Sequence, residues 1–218
     1  MAYLFHLLGG SFVNLIELEE ALLKLNMEIK TLKDHHHYKG NGLSRTEKIE
    51  RRVVEMIFAS KKLDDKSESS KVWELKHSSG CCQIARVLAE IRGLDVEIAE
   101  TAAVLHDVYV IVEGTYKNHA KSGAPIAEKI LRENGGFLKE DIQTISAAIA
   151  HHSEKEVYSN DPYVELIKDV DVFDCSLYKN AERYYRLHKS EQVVKEYINR
   201  IKKVREELGL PPENIFRQ

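Results

Sequence analysis

Residues 99–108 read AETAAVLHDV, an apolar run that closes with the pair His106 and Asp107. Small and apolar residues on every side of this run predict a helix that is buried nearly all round, with Asp95 as its N-cap. The last residues of such a helix lie inside the protein, where a carboxylate beside imidazoles needs a compensating cation. The stretch therefore predicts a helical core and a metal site at the end of its central helix.

Further candidate ligands flank this pair on both sides, each in or beside a segment with helical spacing of its apolar residues: His77, His119, His151, His152 and Asp171. Imidazole and carboxylate groups match Fe, Mn, Zn, Ni and Co, and with more oxygen donors Mg. One or two divalent ions are the expected cofactor.

Apolar residues recur at intervals of three and four along most of the chain, which predicts an all-α bundle of about eight helices. The segment 108–118 lacks this spacing and is predicted to be irregular. We expect residues 1–43 to be a helical extension packed on the core, and residues 44–187 to be the metal-binding domain. A C-terminal helix in 188–218 is expected to complete that domain.

Three segments resemble the HD superfamily of metal-dependent phosphohydrolases: KHSSGCCQIARVLAEIRGLD at 76–95, AAVLHDV at 102–108 and DVDVFD at 169–174. The resemblance covers roughly residues 72–175. It implies an HD-domain helical bundle that hydrolyses a phosphate ester or anhydride, nucleotide-like or a small phosphorylated metabolite, with a metal-activated water.

The resemblance also implies a ligand set. A first ion would be held by His77, His106, Asp107 and Asp171, where Asp171 is chosen because DVDVFD aligns with the family pattern at its second aspartate. A second ion would take His119 and one or both of His151 and His152, with His152 the better aligned if only one binds. Asp107 would then bridge the two ions, and Asp107 and His119 are the expected catalytic residues.

Two lysines near these ligands, Lys121 and Lys155, are candidates to neutralise a bound phosphate. Gly80 stands where relatives often carry a basic residue. No GYP triplet follows the double histidine, which argues against the cyclic-dinucleotide phosphodiesterase branch.

Two other functions fit the same residues. The ligand series also resembles that of di-iron oxygenases built on this fold, which cleave C–C or C–P bonds with O2. Alternatively the chain is a binding or sensor module stabilised by a metal, although a purely structural ion needs no open coordination position.

The composition sets outer bounds on partners and location. A formal net charge of −3 gives no overall basic field for nucleic acid or an anionic membrane. The opening stretch lacks a basic leader and is too short to span a bilayer, and three cysteines form no disulfide framework, so we expect a cytoplasmic protein. The first helix has enough apolar residues to pack either on a partner subunit, giving a homodimer, or on its own core.

Overall fold

The computed structural model describes residues 42–64 and 67–217, together with residues 20 and 23. By its contacts the chain divides into two compact units, Met1–Ser44 and Arg45–Gln218. Almost all of the predicted first helix, at 12–32, lies outside the described residues, and so does its predicted packing on the core.

Within the described ranges the regular secondary structure is all helical and contains no strand, which confirms the predicted all-α class. The helices are α1 Arg45–Ala59, α2 Lys71–Arg92, α3 Val96–Leu105, α4 Val108–Glu113, α5 His119–Asn134, α6 Lys139–His151, α7 Pro162–Ser176, α8 Ala181–His188 and α9 Glu191–Glu207. None of these nine has the length and apolar character needed to cross a bilayer.

Helix α3 is the centre of the bundle, as its sequence predicts. Every residue from Ile98 to Leu105 is buried, and the helix contacts α1, α2, α6 and α7. The Asp95 carboxylate accepts a hydrogen bond from the backbone N–H of Ile98, 3.0 Å away, which satisfies one of the free donors of the first turn. His106 and Asp107, which directly follow α3, therefore lie in the interior of the protein.

The predicted irregular segment 108–118 is wrong in its first half, because residues 108–113 form α4. Its β-branched residues weaken the local preference for helix, but Val108, Val110 and Ile111 are buried in the core and this burial decides the conformation. The apolar spacing of residues 49–63 predicts that α1 continues to Leu63, and this prediction is also wrong. The helix ends at Ala59, where the Ser60 hydroxyl accepts hydrogen bonds from the backbone N–H groups of the residues that follow.

Helix α8, at Ala181–His188, was not predicted either. It is only eight residues long and buries a single residue, Tyr185, so its amphipathic spacing extends over little more than two turns. Asp161 followed by Pro162 predicts a helix that starts with a cap and a first-turn proline. This start is confirmed for α7, since the Asp161 side chain accepts hydrogen bonds from two first-turn N–H groups and Pro162 is the first helical residue.

Candidate metal centre

Six of the seven predicted metal ligands meet in one buried cluster, although they come from five different helices or helix ends. Helix α2 carries His77, the end of α3 delivers His106 and Asp107, α5 begins at His119, His152 follows α6, and α7 carries Asp171. Four of the six ligands lie at or beside a helix end, where side chains can approach one another without the helices colliding, and His77 and Asp171 project from within α2 and α7.

The first half of the cluster contains two imidazoles and two carboxylates. The Nε2 atoms of His77 and His106 lie 3.2 Å apart. His77 Nε2 lies 3.4 Å from Asp171 Oδ1, and His106 Nε2 lies 3.3 Å from Asp107 Oδ2. These four groups could hold one divalent ion.

The second half of the cluster uses the other oxygen of the same aspartate. Asp107 Oδ1 lies 3.3 Å from His119 Nε2 and 3.6 Å from His152 Nε2, and these two imidazole nitrogens are 3.0 Å apart. Asp107 therefore divides its two oxygens between two pairs of histidines, which is the position of a bridging ligand between two ions.

The remaining ring nitrogen of each histidine donates a hydrogen bond away from the cluster. His106 donates from Nδ1 to Ala103 O at 2.7 Å, and His119 donates from Nδ1 to Tyr116 O at 2.8 Å. His152 donates from Nδ1 to Ile149 O at 2.7 Å, and His77 donates from Nδ1 to Asp174 Oδ2 at 2.6 Å. These acceptors place the proton on Nδ1, so a neutral imidazole presents the lone pair of Nε2 to the cluster.

The same geometry tests whether a metal fits. Nε2 lone pairs that face each other at 3.0 and 3.2 Å repel unless a proton or a cation lies between them. Asp107 Oδ1 is buried and has no hydrogen-bond donor. A divalent ion in each half would satisfy both the lone pairs and this oxygen, and nitrogen and oxygen donors together suit a first-row transition ion.

The surroundings hold the two cluster carboxylates in the ionised state that a metal ligand needs, whereas the pKa of His106 is raised against the effect of burial, by Asp107 first, and the pKa of His77 is raised well above its usual range. Burial acts to raise the pKa of Asp107, but the neighbouring imidazoles, His106 first, hold that pKa well below its usual range. Burial likewise opposes ionisation of Asp171, and Lys155 is the largest influence that keeps its pKa low. Burial lowers the pKa of His152 to about 4, so this imidazole is neutral near neutral pH.

The structure does not bring His151 to the cluster, which corrects the predicted ligand set. Its side chain is 51% exposed, and its Nδ1 atom lies 2.9 Å from Glu154 Oε2. Consecutive residues of a helix point about 100° apart, so the two histidines at the end of α6 cannot face the same way. His152, with no exposed surface, is the one that turns inward.

The two predicted phosphate-binding lysines have different surroundings. Lys121 is 70% exposed and pairs with Glu154, with its Nζ atom 3.1 Å from the carboxylate and outside the cavity lining. This position corrects its predicted role. Lys155 is buried and lines the cavity, but its ammonium group is bonded to Asp171.

The choice among the three aspartates of α7 follows from their partners. Asp169 is fully buried on a different side of the helix, where Arg92, Arg200 and Lys203 donate to it at 2.7–2.9 Å. Asp174 accepts from His77 Nδ1 and so orients this ligand without facing the cluster centre. Of the three aspartates of α7, Asp171 is the one that directs an oxygen toward the Nε2 atom of a cluster histidine.

A cavity of about 730 Å³ opens onto the cluster and exposes parts of His77, Asp107, His119 and Asp171 to it. Its wall includes aromatic side chains that the sequence analysis missed. Trp73 stacks on the ring of His77 with centroids 5.1 Å apart, and Tyr178 meets Trp73 edge-on at 4.9 Å. The spacing of four residues between Trp73 and His77 on one helix was the available signal.

A second missed feature is a buried carboxyl beside the cavity. Glu74 is 1% exposed, and burial raises its pKa to about 7. The Tyr116 hydroxyl, on the cavity wall, donates to Glu74 Oε1 at 3.1 Å. Since Glu74 lies one helical turn before His77, the sequence placed it on the same face, although nothing in the sequence indicated its burial.

The family model for the HD domain matches residues 75–175. Among curated proteins, the chain is similar to proteins named Ribonuclease Y. That of Desulforamulus reducens is 26% identical over 136 residues, which are 62% of this chain and 23% of the relative. That of Chlorobium phaeovibrioides is 32% identical over 102 residues, 47% of this chain and 18% of the relative. The chain thus spans less than a quarter of the length of these relatives.

The comparison with solved structures gives one match at low identity. It is a crystal structure of a predicted HD superfamily hydrolase from an uncultured Thermotogales bacterium, with 23% sequence identity and a TM-score of 0.48. The similarity covers 73% of this chain and 88% of that chain.

Proposed function

We propose that the chain is a metal-dependent phosphohydrolase of the HD superfamily that hydrolyses a phosphate ester or anhydride of a small molecule, a proposal supported by the match of residues 75–175 to the family model for the HD domain. The proposed reaction is the attack of a water on a phosphoryl group, with one or two divalent ions as cofactor.

The observation that carries the proposal is the position of Asp107. Its two oxygens face two separate pairs of histidines, and Oδ1 has no hydrogen-bond donor although it is buried. A purely structural ion would be served by one closed set of ligands, whereas a bridging carboxylate between two open sets suits phosphoryl transfer. Divalent ions bound there would polarise phosphoryl oxygens and lower the pKa of water.

The chain's own residues would supply position and environment. The Nδ1 hydrogen bonds fix the four imidazole rings before any ligand binds, so little reorganisation is needed on binding. His119 is the cluster histidine with the most exposed side chain, at 16%, and Tyr116 packs edge-on against its ring. We therefore place the reacting phosphate on the side of the cluster that His119 and Asp107 present to the cavity.

The size of the cavity bears on the substrate. A volume of about 730 Å³ lies within the range of small-molecule sites, and it is large enough for a nucleotide-sized phosphate. The net charge of −3 provides no overall attraction for a polynucleotide. Because the relatives named Ribonuclease Y act on RNA by their name, an RNA oligomer nonetheless belongs in the substrate panel.

The test measures metal and activity on the same preparation. Purified protein would be analysed for its elements, loaded with Mn, Ni, Co or Mg, and assayed for phosphate release on nucleotides, sugar phosphates and an RNA oligomer. Asp107→Asn serves as the control that should lose bound metal and activity together. Oxygen uptake without phosphate release would instead establish the oxygenase, and bound metal with neither activity would establish the binding module.

The three cysteines, all free thiols, fit a reducing compartment, and a cytoplasmic location is part of the proposal. Burial raises the pKa of Cys81 and Cys82, so neither is a reactive thiolate. The homodimer remains a prediction for a sizing experiment.

A further inference from the structure

Lys155 and Asp171 form a buried ion pair inside the candidate metal centre. Lys155 is 2% exposed, and its Nζ atom donates to the Asp171 carboxylate at Oδ2. The same ammonium group donates to the backbone carbonyl of His152 at 2.5 Å. Lys155 therefore contacts one metal-ligand side chain and the backbone of a second metal-ligand residue.

The ion pair uses only one oxygen of Asp171. Oδ2 faces Lys155, while Oδ1 lies 3.4 Å from His77 Nε2 on the cluster side. A carboxylate whose second oxygen accepts a charge-assisted hydrogen bond has one oxygen left for a metal. A bidentate carboxylate would occupy a second coordination position that a water or substrate oxygen needs in a catalytic site.

The backbone of Lys155 is itself fixed from the opposite side. Arg200 of α9 donates from Nε to Lys155 O at 2.7 Å, and from Nη1 to Asp169 at 2.7 Å and to Glu165 at 2.9 Å. Arg200 is 2% exposed, so this guanidinium is a rigid buried anchor. The ammonium group is thus held in place by the fold.

From these contacts we propose that Lys155 is a positioning residue that holds Asp171 to one metal-ligating oxygen and so keeps a coordination position open. This inference rests on the proposed function, because it assigns a role within the same metal centre. It replaces phosphate binding as the role of Lys155, whose ammonium is already bonded to two acceptors.

The matched control is Lys168, a second buried lysine with the same pattern of contacts. It is 1% exposed, and its Nζ atom donates to Val157 O at 2.6 Å and to Glu165 Oε1 at 3.1 Å. Glu165, the carboxylate partner of Lys168, lies outside the metal cluster. Lys155→Met and Lys168→Met therefore remove equally buried charges, and only the first removes one that pairs with a metal ligand.

The experiment measures metal affinity by competition with a chelating indicator, and ligand number by X-ray absorption on Mn-loaded protein. Lys155→Met should bind Mn about tenfold more tightly, since a positive charge is lost and Asp171 can offer both oxygens, and it should show one additional oxygen ligand. Any phosphate release should fall about 10- to 100-fold in kcat with little change in KM. Lys168→Met should match the wild type in affinity and ligand number.

Weaker Mn binding in Lys155→Met, or equal effects in the two variants, would overturn the proposal, and so would a change confined to KM. If Lys155→Met does not fold, the metal-loaded wild type provides the test. A crystal structure should show Asp171 bound through Oδ1 alone with Lys155 on Oδ2, whereas bidentate Asp171 contradicts the inference. These metal readouts need no substrate, so a failure to find hydrolysis counts against the proposed function and leaves this inference to be judged by itself.

Discussion

A Cβ atom at position 80 would lie only 2.1 Å from Oδ1 of Asp174, because α2 and α7 pack directly against each other at Gly80. The other oxygen of Asp174 accepts the hydrogen bond from His77 Nδ1 at 2.6 Å. Gly80 thus provides the space for the carboxylate that orients a candidate metal ligand.

Gly80→Ala should therefore damage the site even though alanine favours helix. The Asp174 carboxylate is held by His77 and has to move, so we expect a loss of metal affinity or activity of about 10- to 100-fold. The control is Gly123→Ala in α5, where the nearest atoms to a new Cβ are 3.6 Å away and the free energy of unfolding should rise by up to about 1 kcal/mol. Equal metal affinity in both variants would show that Asp174 does not orient His77.

The two histidines at the end of α6 form a natural pair of variants. His152→Ala removes a buried imidazole that faces Asp107 Oδ1 and His119, so activity should fall by at least about 100-fold and bound metal should decrease. His151→Ala removes a half-exposed side chain bonded to Glu154 and should keep activity within about twofold. Elemental analysis and turnover of the two proteins check this, and the opposite ranking would contradict the assigned orientation.

Metal removal should lower the thermal stability of the protein. The ligands belong to five different helices or helix ends, and an ion that binds only the folded state adds about 3 kcal/mol when its concentration is one hundred times Kd. For a chain of this size the corresponding fall in Tm on chelation is about 5–10 °C. Thermal unfolding with EDTA, followed by addition of Mn, measures the shift. Asp107→Asn should show almost none, and a wild type unaffected by EDTA would argue against a bound ion.

The buried carboxyl group of Glu100, outside the candidate metal centre, should make the free energy of unfolding depend on pH. It is 2% exposed in α3 and paired with Arg86, and burial is the main cause that raises its pKa to about 7 from 4.5. The folded state therefore favours the protonated carboxyl, a stabilisation that is complete below pH 4.5 and is lost as the pH rises through 7.

Glu100→Gln imitates the protonated form at every pH. At pH 8 its Tm should exceed that of the wild type by about 2–4 °C, and the difference should disappear near pH 4.5. Thermal unfolding of both proteins across this range is the measurement. A variant that is less stable than the wild type at pH 8 would mean that the ion pair with Arg86 outweighs the cost of burying the charge.

The sequence alone determined the helical class, the caps at Asp95 and Asp161, and the burial of α3, because these depend on local spacing and on the polarity of neighbouring residues. It also indicated the candidate ligands through their residue types. It did not indicate α4, because the packing of Val108, Val110 and Ile111 into the core overrides the weak helix preference of β-branched residues.

Only the tertiary structure decided how the candidate ligands are used. The choice between His151 and His152 depends on the rotation of α6 about its axis, which is set by packing on α3, α5 and α7. The division of the Asp107 oxygens, and the pairing of Lys155 with one oxygen of Asp171, depend on distances between residues far apart in the chain. Such distances result from how whole helices pack, and no local pattern in the sequence encodes them.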